Sequence, residues 1–352
     1  PLFYMFCCVR FRGGVGGRAR RWAGGRGGET RDEVLAAVAK LILRRLAQMV
    51  LIMGVISLVL FFIFDSPEFK KQIAVNELGG FGVRQLSEEA YQQWLAQKGL
   101  NVPFFQRYLA WVGDVLRGDF GRSYQKNMDV GPLLGSRLVN TGILAFWVFA
   151  LMIPLALVTG VLAGMREGSA QDRTISFVSV LFTSIPEIAT AIILTVIFAL
   201  GLGWVPAKSA MTQGFDWRQL ALPVLTLVLY DFGYVARMTR ASMAEVMTSQ
   251  YIRTAILKGL PQRTVIMRHA LRNALIAPFT VIVLQLNWLL SGVVVVEVFF
   301  QYDGFGKLLL DAALFGDIYV IQAATFIAVI VAVLSQIISD VGYTFLNPRI
   351  RF

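Results

Sequence analysis

Six apolar stretches decide what this chain can fold into. They run over 46–64, 141–163, 177–202, 219–235, 274–300 and 318–346. Each approaches or exceeds the roughly 20 residues a helix needs to cross a hydrocarbon core. Inside lipid every backbone N–H and C=O must find its partner within the protein, and a helix satisfies its own. The sequence therefore predicts an all-α integral membrane protein with six transmembrane helices. Composition agrees: 56% of the 352 residues are hydrophobic and 16% charged, against about 45–50% and about 25% in a soluble domain. The stretch at 219–235 is the shortest of the six and holds Asp231.

With six spans both termini share a side, and Lys and Arg near the spans say which side that is. Ten basic residues precede the first span and seven lie between spans four and five, whereas the two short loops of the opposite face hold only Lys208, Arg218 and Lys307. The expectation is that both termini and the loop 237–273 face the cytoplasm. The net charge of +11 then reflects topology and attraction to anionic lipid, not nucleic-acid binding. Cys7 and Cys8 are adjacent and cannot build a disulfide framework.

Residues 1–33 are Gly- and Arg-rich without periodicity and read as a disordered basic tail. They lack the order of a signal peptide. Residues 34–352 read as one transmembrane domain, with 65–140 as a small helical cap on the outer face. There Ser87 can cap a helix that opens with Glu88 and Glu89 and stops at Gly99. After Pro103, Phe105, Leu109, Val112 and Leu116 recur at helical spacing up to Gly118. Trp204 and Trp217 suit a membrane interface, and Pro154, Pro186, Pro223 and Pro278 permit kinks. There is no internal repeat, coiled coil or zinc-ligand spacing.

The loop between spans four and five is unusual. "YIRTAILKGLPQRTVIMRHALRNALI" (251–276) carries five basic residues, the one histidine of the chain and no acid. Ser249 can cap a helix over 250–258, Gly259 can end it, and Pro261 suits the first turn of the next. Tyr251, Ile252, Ala255 and Ile256 give the first helix an apolar side. Ala255 and Gly259 are small and admit a close partner. Arg268 and Arg272, four apart, want anionic acceptors. Charge alone would make a topological anchor; the defined turn and small-residue face favour a knob docked in a partner's groove.

These residues resemble the coupling loop of ABC importer permeases of the dipeptide, oligopeptide and nickel type, the B-like subunit. Arg253, Thr254 and Ala255 match its start and Gly259 its glycine; Arg253 stands where importers in general have Glu, as is usual in the peptide branch. "QRYLAWVGDVLRGDFGRS" (106–123), "TSIPE", "LGWVPA", "VVVVEVFFQYDGFGKLLLDAAL" and the C-terminal "DVGYTFLNPRIRF" are similar to the same family. The likeness covers roughly residues 39–352 and fits poorly over 65–86.

The resemblance implies a type I importer permease that forms a path for peptides together with a second permease. Two ABC ATPase subunits would dock on the coupling loop through Tyr251, Arg253, Thr254, Ala255, Lys258, Gly259 and Leu260. A substrate-binding protein would deliver cargo outside. ATP and Mg would sit on the partner subunits, with no cofactor bound by this chain and no enzymatic activity of its own. Independently, no G-x-x-x-x-G-K-[ST] phosphate loop occurs: Gly306-Lys307 lacks both the earlier glycine and the following Ser or Thr.

Glu187, Asp231, Asn287 and Glu297 lie within or beside spans, where polar groups usually face a cavity or a partner. They are candidates for the translocation path or the interface between permeases; for Glu297 a gate and structural hydrogen bonding stand level. His269, with no cysteine or acid cluster beside it, reads as a packing residue rather than a metal ligand. Asp340 is expected to anchor a basic group. Two other classes remain: a self-sufficient secondary carrier or channel, which would show repeated halves, and an intramembrane enzyme, for which no catalytic constellation is evident. Permeases for nickel, opines or oligosaccharides share the same pattern.

Overall fold

The computed structural model describes the backbone of residues 31–71, 73–75, 87–211 and 215–346. Side chains are described from residue 42, except within those gaps, at 286–292, at 339 and after 340. The expected tail at 1–33 thus falls outside the described residues but for the last backbone positions. The chain divides into two units, 1–41 and 42–352; of the first, only helical backbone from Arg31 is described.

The described elements are helical, with one isolated bridge between Arg122 and Asp129. They are α1 (Arg31–Phe64), α2 (Glu88–Gln97), α3 (Phe104–Leu116), α4 (Val130–Gly164), α5 (Ala170–Ser184) and α6 (Glu187–Leu194, with a π-helical continuation to Gly201). Then come α7 (Trp217–Met247), α8 (Gln250–Leu257), α9 (Gln262–Ala274, π-helical over Val265–Ala270), α10 (Ile276–Phe299), α11 (Phe305–Phe315) and α12 (Ile318–Leu346).

Four helical segments are long and apolar enough to cross a membrane: Ile42–Phe64, α4, α7 and Ile318–Ile338. Two bent pairs, α5 with α6 and α9 with the first part of α10, bring the number to six when each pair counts as one span. The third span, expected at 177–202 with a kink permitted at Pro186, is bent by 100° between α5 and α6. Pro186 has no N–H and disfavours helical geometry in the residue before it; Ile185 accordingly sits at ψ 125°.

Helices α4 and α7 lie nearly backbone to backbone. A β-carbon at Gly160 would stand 2.5 Å from Thr239 Cβ, and one at Gly164 2.6 Å from the Arg240 carbonyl oxygen. Close approach through small residues is how membrane helices gain packing energy when lipid offers no hydrophobic drive. Leu144, Val148 and Met152 of α4 join Leu227, Val228 and Phe232 of α7 and Val281, Val293 and Val296 of α10 in the main core. Arg45 of α1 pairs with Asp340 of α12 at 2.7 Å, the basic partner anticipated for that acid.

In the cap, Ser87 Oγ accepts the Ala90 N–H at 3.3 Å, and Gly99 and Gly118 both take positive φ, as turn-ending glycines should. The apolar residues at helical spacing do not form the inward face of α3. Phe105 (71% exposed), Leu109 (66%) and Leu116 (83%) point out, and Trp111 (7%) points in. The aromatic side wins because Phe104, Tyr108 and Trp111 have ring partners: Phe61 of α1 meets all three within 5.8 Å, and Trp111 stacks on Phe326 at 5.4 Å.

Candidate functional site

The loop after α7 folds as a helical hairpin with a core of its own. Ile252 and Ala255 of α8, with Val265, Ala270 and Ala274 of α9, close over Met243 at the end of α7. Val161 and Met165 of α4 pack against them. The hairpin is therefore seated on the shared end of α4 and α7. Ser249 is the N-cap residue, but its hydroxyl donates back to the Val246 carbonyl at 2.6 Å instead of capping α8. Gly259 closes α8 at φ 75°, its N–H bonding the Ile256 carbonyl at 2.9 Å. Nothing lies within 4 Å of a β-carbon placed there, so the requirement for glycine is one of backbone conformation, not of space. Pro261 precedes α9 as its N-cap residue.

Ala255 was expected on the docking face and is 6% exposed, because it and Ile252 are drawn into the hairpin core. What α8 and the turn present outward is Tyr251, Arg253, Thr254, Ile256, Leu257, Lys258, Gly259 and Leu260. Leu257 is 81% exposed, an apolar knob at the tip. Arg253, Lys258, Arg263, Arg268 and Arg272 form no ion pair among the described residues. The surface is thus apolar at its tip and cationic around it. Such a face suits an apolar groove with an acidic rim.

The intramembrane candidates separate. Asp231 of α7 is 1% exposed; its Oδ1 accepts from Gln285 Nε2 of α10 at 2.8 Å, and its Oδ2 has no hydrogen-bond partner among the described residues. Glu187 is half-buried in the first turn of α6, just past the 100° break, within electrostatic range of Asp231 and Tyr230. Glu187 and Asp231 are thus brought together, on facing helices. The Asn287 side chain lies outside the described residues.

Glu297 is 0% exposed, and its contacts are those of structural hydrogen bonding, one of its two readings. Its carboxylate accepts from Thr141 Oγ1 at 2.6 Å and from the Lys307 N–H at 2.9 Å. It therefore caps the positive N-terminus of α11 while binding the end of α10 to α4. The joint is reinforced: Thr141 Oγ1 accepts the Phe305 N–H at 2.8 Å, Asn140 Nδ2 donates to the Asp303 carbonyl at 2.8 Å, and Arg137 pairs with Asp303 at 2.7 Å.

One contact went unforeseen. Arg240 of α7, counted in the sequence only as a basic residue near a span, grips Asp172 of α5 through two hydrogen bonds of 2.9 and 2.7 Å. The Ser169-x-x-Asp172 pattern of a capping box was legible; its distant partner was not. An apolar trough of about 870 Å³ runs between α4, α10 and α12, with Phe146, Phe149, Ile153, Phe279 and Ile338 in its walls. Among the described residues no three His, Cys, Asp or Glu converge to hold a metal ion, and His269 is half-buried in the π-helical turn of α9.

The chain is similar to known proteins. An amino acid ABC transporter crystallised with histidines aligns with TM-score 0.46 at 16% identity, over 59% of this chain and 94% of that one. The oligopeptide transport system permease protein AppB of Bacillus subtilis is 34% identical over 275 residues, covering 76% of this chain and 87% of the relative. A peptide transport system permease protein of Brucella abortus is 32% identical over 316 residues, covering 89% and 99%. Residues 156–352, which include the Gly160 and Gly164 contacts with α7, the hairpin, and Glu297 without its α4 partners, match the sequence family described as binding-protein-dependent transport system inner membrane component. With bent and straight spans, a basic hairpin seated on two of them and this match over more than half its length, the chain belongs to that family of membrane transport subunits.

Proposed function

We propose that this chain is one of two permeases of an ATP-driven importer for peptides, with α8 and α9 as the coupling hairpin. Tyr251, Arg253, Thr254, Lys258, Gly259 and Leu260, with Ile256 and Leu257 beside them, dock a cytoplasmic ATPase subunit; Ala255 supports them from beneath. ATP and Mg are bound by two such ATPases, and a binding protein delivers peptide at the cap. Both termini and the hairpin lie in the cytoplasm. Residues 65–140 form the outer cap, and 237–273 the coupling loop with its stem. The observation that carries this reading is the hairpin itself: an exposed apolar tip ringed by cations that form no ion pair among the described residues, rooted on α4 and α7. Peptide as cargo is supported by what the relatives are named for.

ATP closure of the ATPases would push the hairpin along α7, past Asp231 and Glu187, which line or border the path. The apolar trough between α4, α10 and α12 receives the second permease. Reconstitution in vesicles with the second permease, both ATPases and the binding protein tests the reading. ATP-dependent peptide uptake that needs every subunit is expected. Uptake by this chain alone, without ATP, would make it a secondary carrier.

A further inference from the structure

Helices α5 and α7 touch at two levels. At one, Arg240 holds Asp172. At the other, a β-carbon on Gly233 would stand 2.2 Å from the Ser179 carbonyl oxygen, so the two backbones are in direct contact. The levels are seven residues apart on each helix and run in opposite senses. The helices are therefore antiparallel and in register over two turns, about 10 Å.

Asp172 is held rigidly. It closes a capping box at the start of α5: Ser169 Oγ accepts the Asp172 N–H at 3.1 Å, and Asp172 Oδ2 accepts the Gly168 N–H at 2.9 Å. It is 3% exposed, and Arg240 Nη2 also lies 3.4 Å from Glu167. A planar guanidinium on two carboxylate oxygens fixes orientation as well as distance. Arg240 is equally fixed from behind, since its carbonyl lies under Gly164 of α4. One turn on, Met243 packs under the same glycine and inside the hairpin core. Arg240 is thus the point where α4, α5, α7 and the hairpin root meet. The far end of α5 is the 100° break that leads to Glu187.

We propose that Arg240 and Asp172 are positioning residues that make the hairpin, α7 and α5 move as one body, so that a push on the hairpin reaches the α5–α6 break. This rests on the reading of α8 and α9 as the ATPase dock. The pair stays closed throughout the transport cycle. It binds neither ATPase nor cargo; it transmits displacement between them. A merely stabilising pair would affect how much protein folds, not how much cargo moves per ATP.

The test uses the full transporter in vesicles, with Cys7 and Cys8 replaced, and scores ATPase co-purification, hydrolysis and peptide uptake together. Asp172→Asn keeps one acceptor oxygen, enough for the Gly168 N–H, and loses the charge and the second acceptor; Arg240→Lys keeps the charge and loses the fork. Both should retain the ATPases and hydrolyse ATP, while peptide moved per ATP falls about tenfold, the scale of one charge-assisted hydrogen bond. If Asp172→Asn fails to accumulate, Arg240→Lys serves alone. In the double variant Asp172→Cys, Arg240→Cys, a bifunctional thiol reagent spanning the two sites should restore the lost coupling. Wild-type uptake per ATP in both single variants would overturn the proposal, as would a cross-link that blocks transport. ATPases that fail to bind the wild-type chain would instead overturn the docking reading.

Discussion

Gly304 leaves the space that Glu297 occupies: a β-carbon there would stand 2.0 Å from the Glu297 Oε1 atom. Gly304 is extended, at φ −99° and ψ −176°, so space and not conformation demands glycine. Gly304→Ala must push the carboxylate off Thr141 and the start of α11. The expected cost is roughly 1–3 kcal/mol, as for overpacking a filled core. Thermal unfolding of the purified protein in detergent reads it. Gly113→Ala, inside α3 with nothing within 4 Å of the new carbon, should hold or gain stability. Equal behaviour of the two would mean that the Glu297 joint is soft.

Leu257 and Ile256 are 81% and 55% exposed, so charge can be placed there without disturbing the hairpin. Leu257→Asp with Ile256→Asp should leave the protein inserted and weaken ATPase binding by about 2 kcal/mol, the level of an interface hot spot. Co-purification with the ATPases measures it. Undiminished recovery would remove the apolar tip from the docking surface. Ala255→Trp should act differently, by breaking the core beneath and raising protease sensitivity across 250–274.

Gly259→Val places a β-branched residue at φ 75°. The strain is about 1 kcal/mol or more. Since open space surrounds the site, the cost is local: faster amide exchange in α8 and the turn, with α4 and α7 unchanged. Uniform loosening of all three helices would contradict a hairpin with a separate core.

Gln285→Leu removes the donor to Asp231 Oδ1 and leaves a buried carboxyl group with neither oxygen bonded among the described residues. A loss of roughly 1–3 kcal/mol in unfolding stability is expected. Pairing the change with Asp231→Leu removes both partners and should recover much of it. Independent, additive losses would show that the 2.8 Å contact contributes little.

Asp65 ties the C-terminal end of α1 to α3, accepting from Lys70 at 2.8 Å and from Arg107 of α3. Burial favours its neutral form, but the hydrogen bonds and charges of Lys70 and Arg107 outweigh that and hold its pKa below the ordinary carboxylate value. A depressed folded pKa means stability that is fully present above the unfolded value, about 4, and is lost as pH falls through the lower folded one. Amide exchange in α3 should therefore rise as pH drops below about 4, and Asp65→Asn should abolish that step. An unchanged acid step in the variant would assign it to another acid.

Spans and turns were legible because their causes are local. Apolar runs longer than a bilayer needs admit only helix, and Ser87, Gly99, Gly118 and Gly259 set their turns through their own backbone and nearest neighbours. The site was legible only as a location. Residues 251–260 could be singled out, yet Ala255 and Leu257 could not be assigned to inside and outside, since that depends on how α8 is rotated over Met243. Which face of α3 turns inward was open for the same reason: aliphatic spacing marks an apolar stripe, whereas ring partners on α1 and α12 decided which stripe turned inward.

The sequence by itself determined that this chain lives in a membrane as helices, that the loop between the fourth and fifth spans holds five basic residues and no acid over 251–276, and that this loop turns at Gly259. These follow from solvation and steric limits that act within a few residues. Only the tertiary structure decided that Arg240, among so many cations, pairs with Asp172, 68 residues away, that Glu297 caps α11, and that the third span breaks by 100°. Pairings such as Arg240 with Asp172 and Thr141 with Glu297 depend on helix rotation and on contact across the bundle, to within an ångström or so, and their partners lie 68 and 156 residues apart in the sequence.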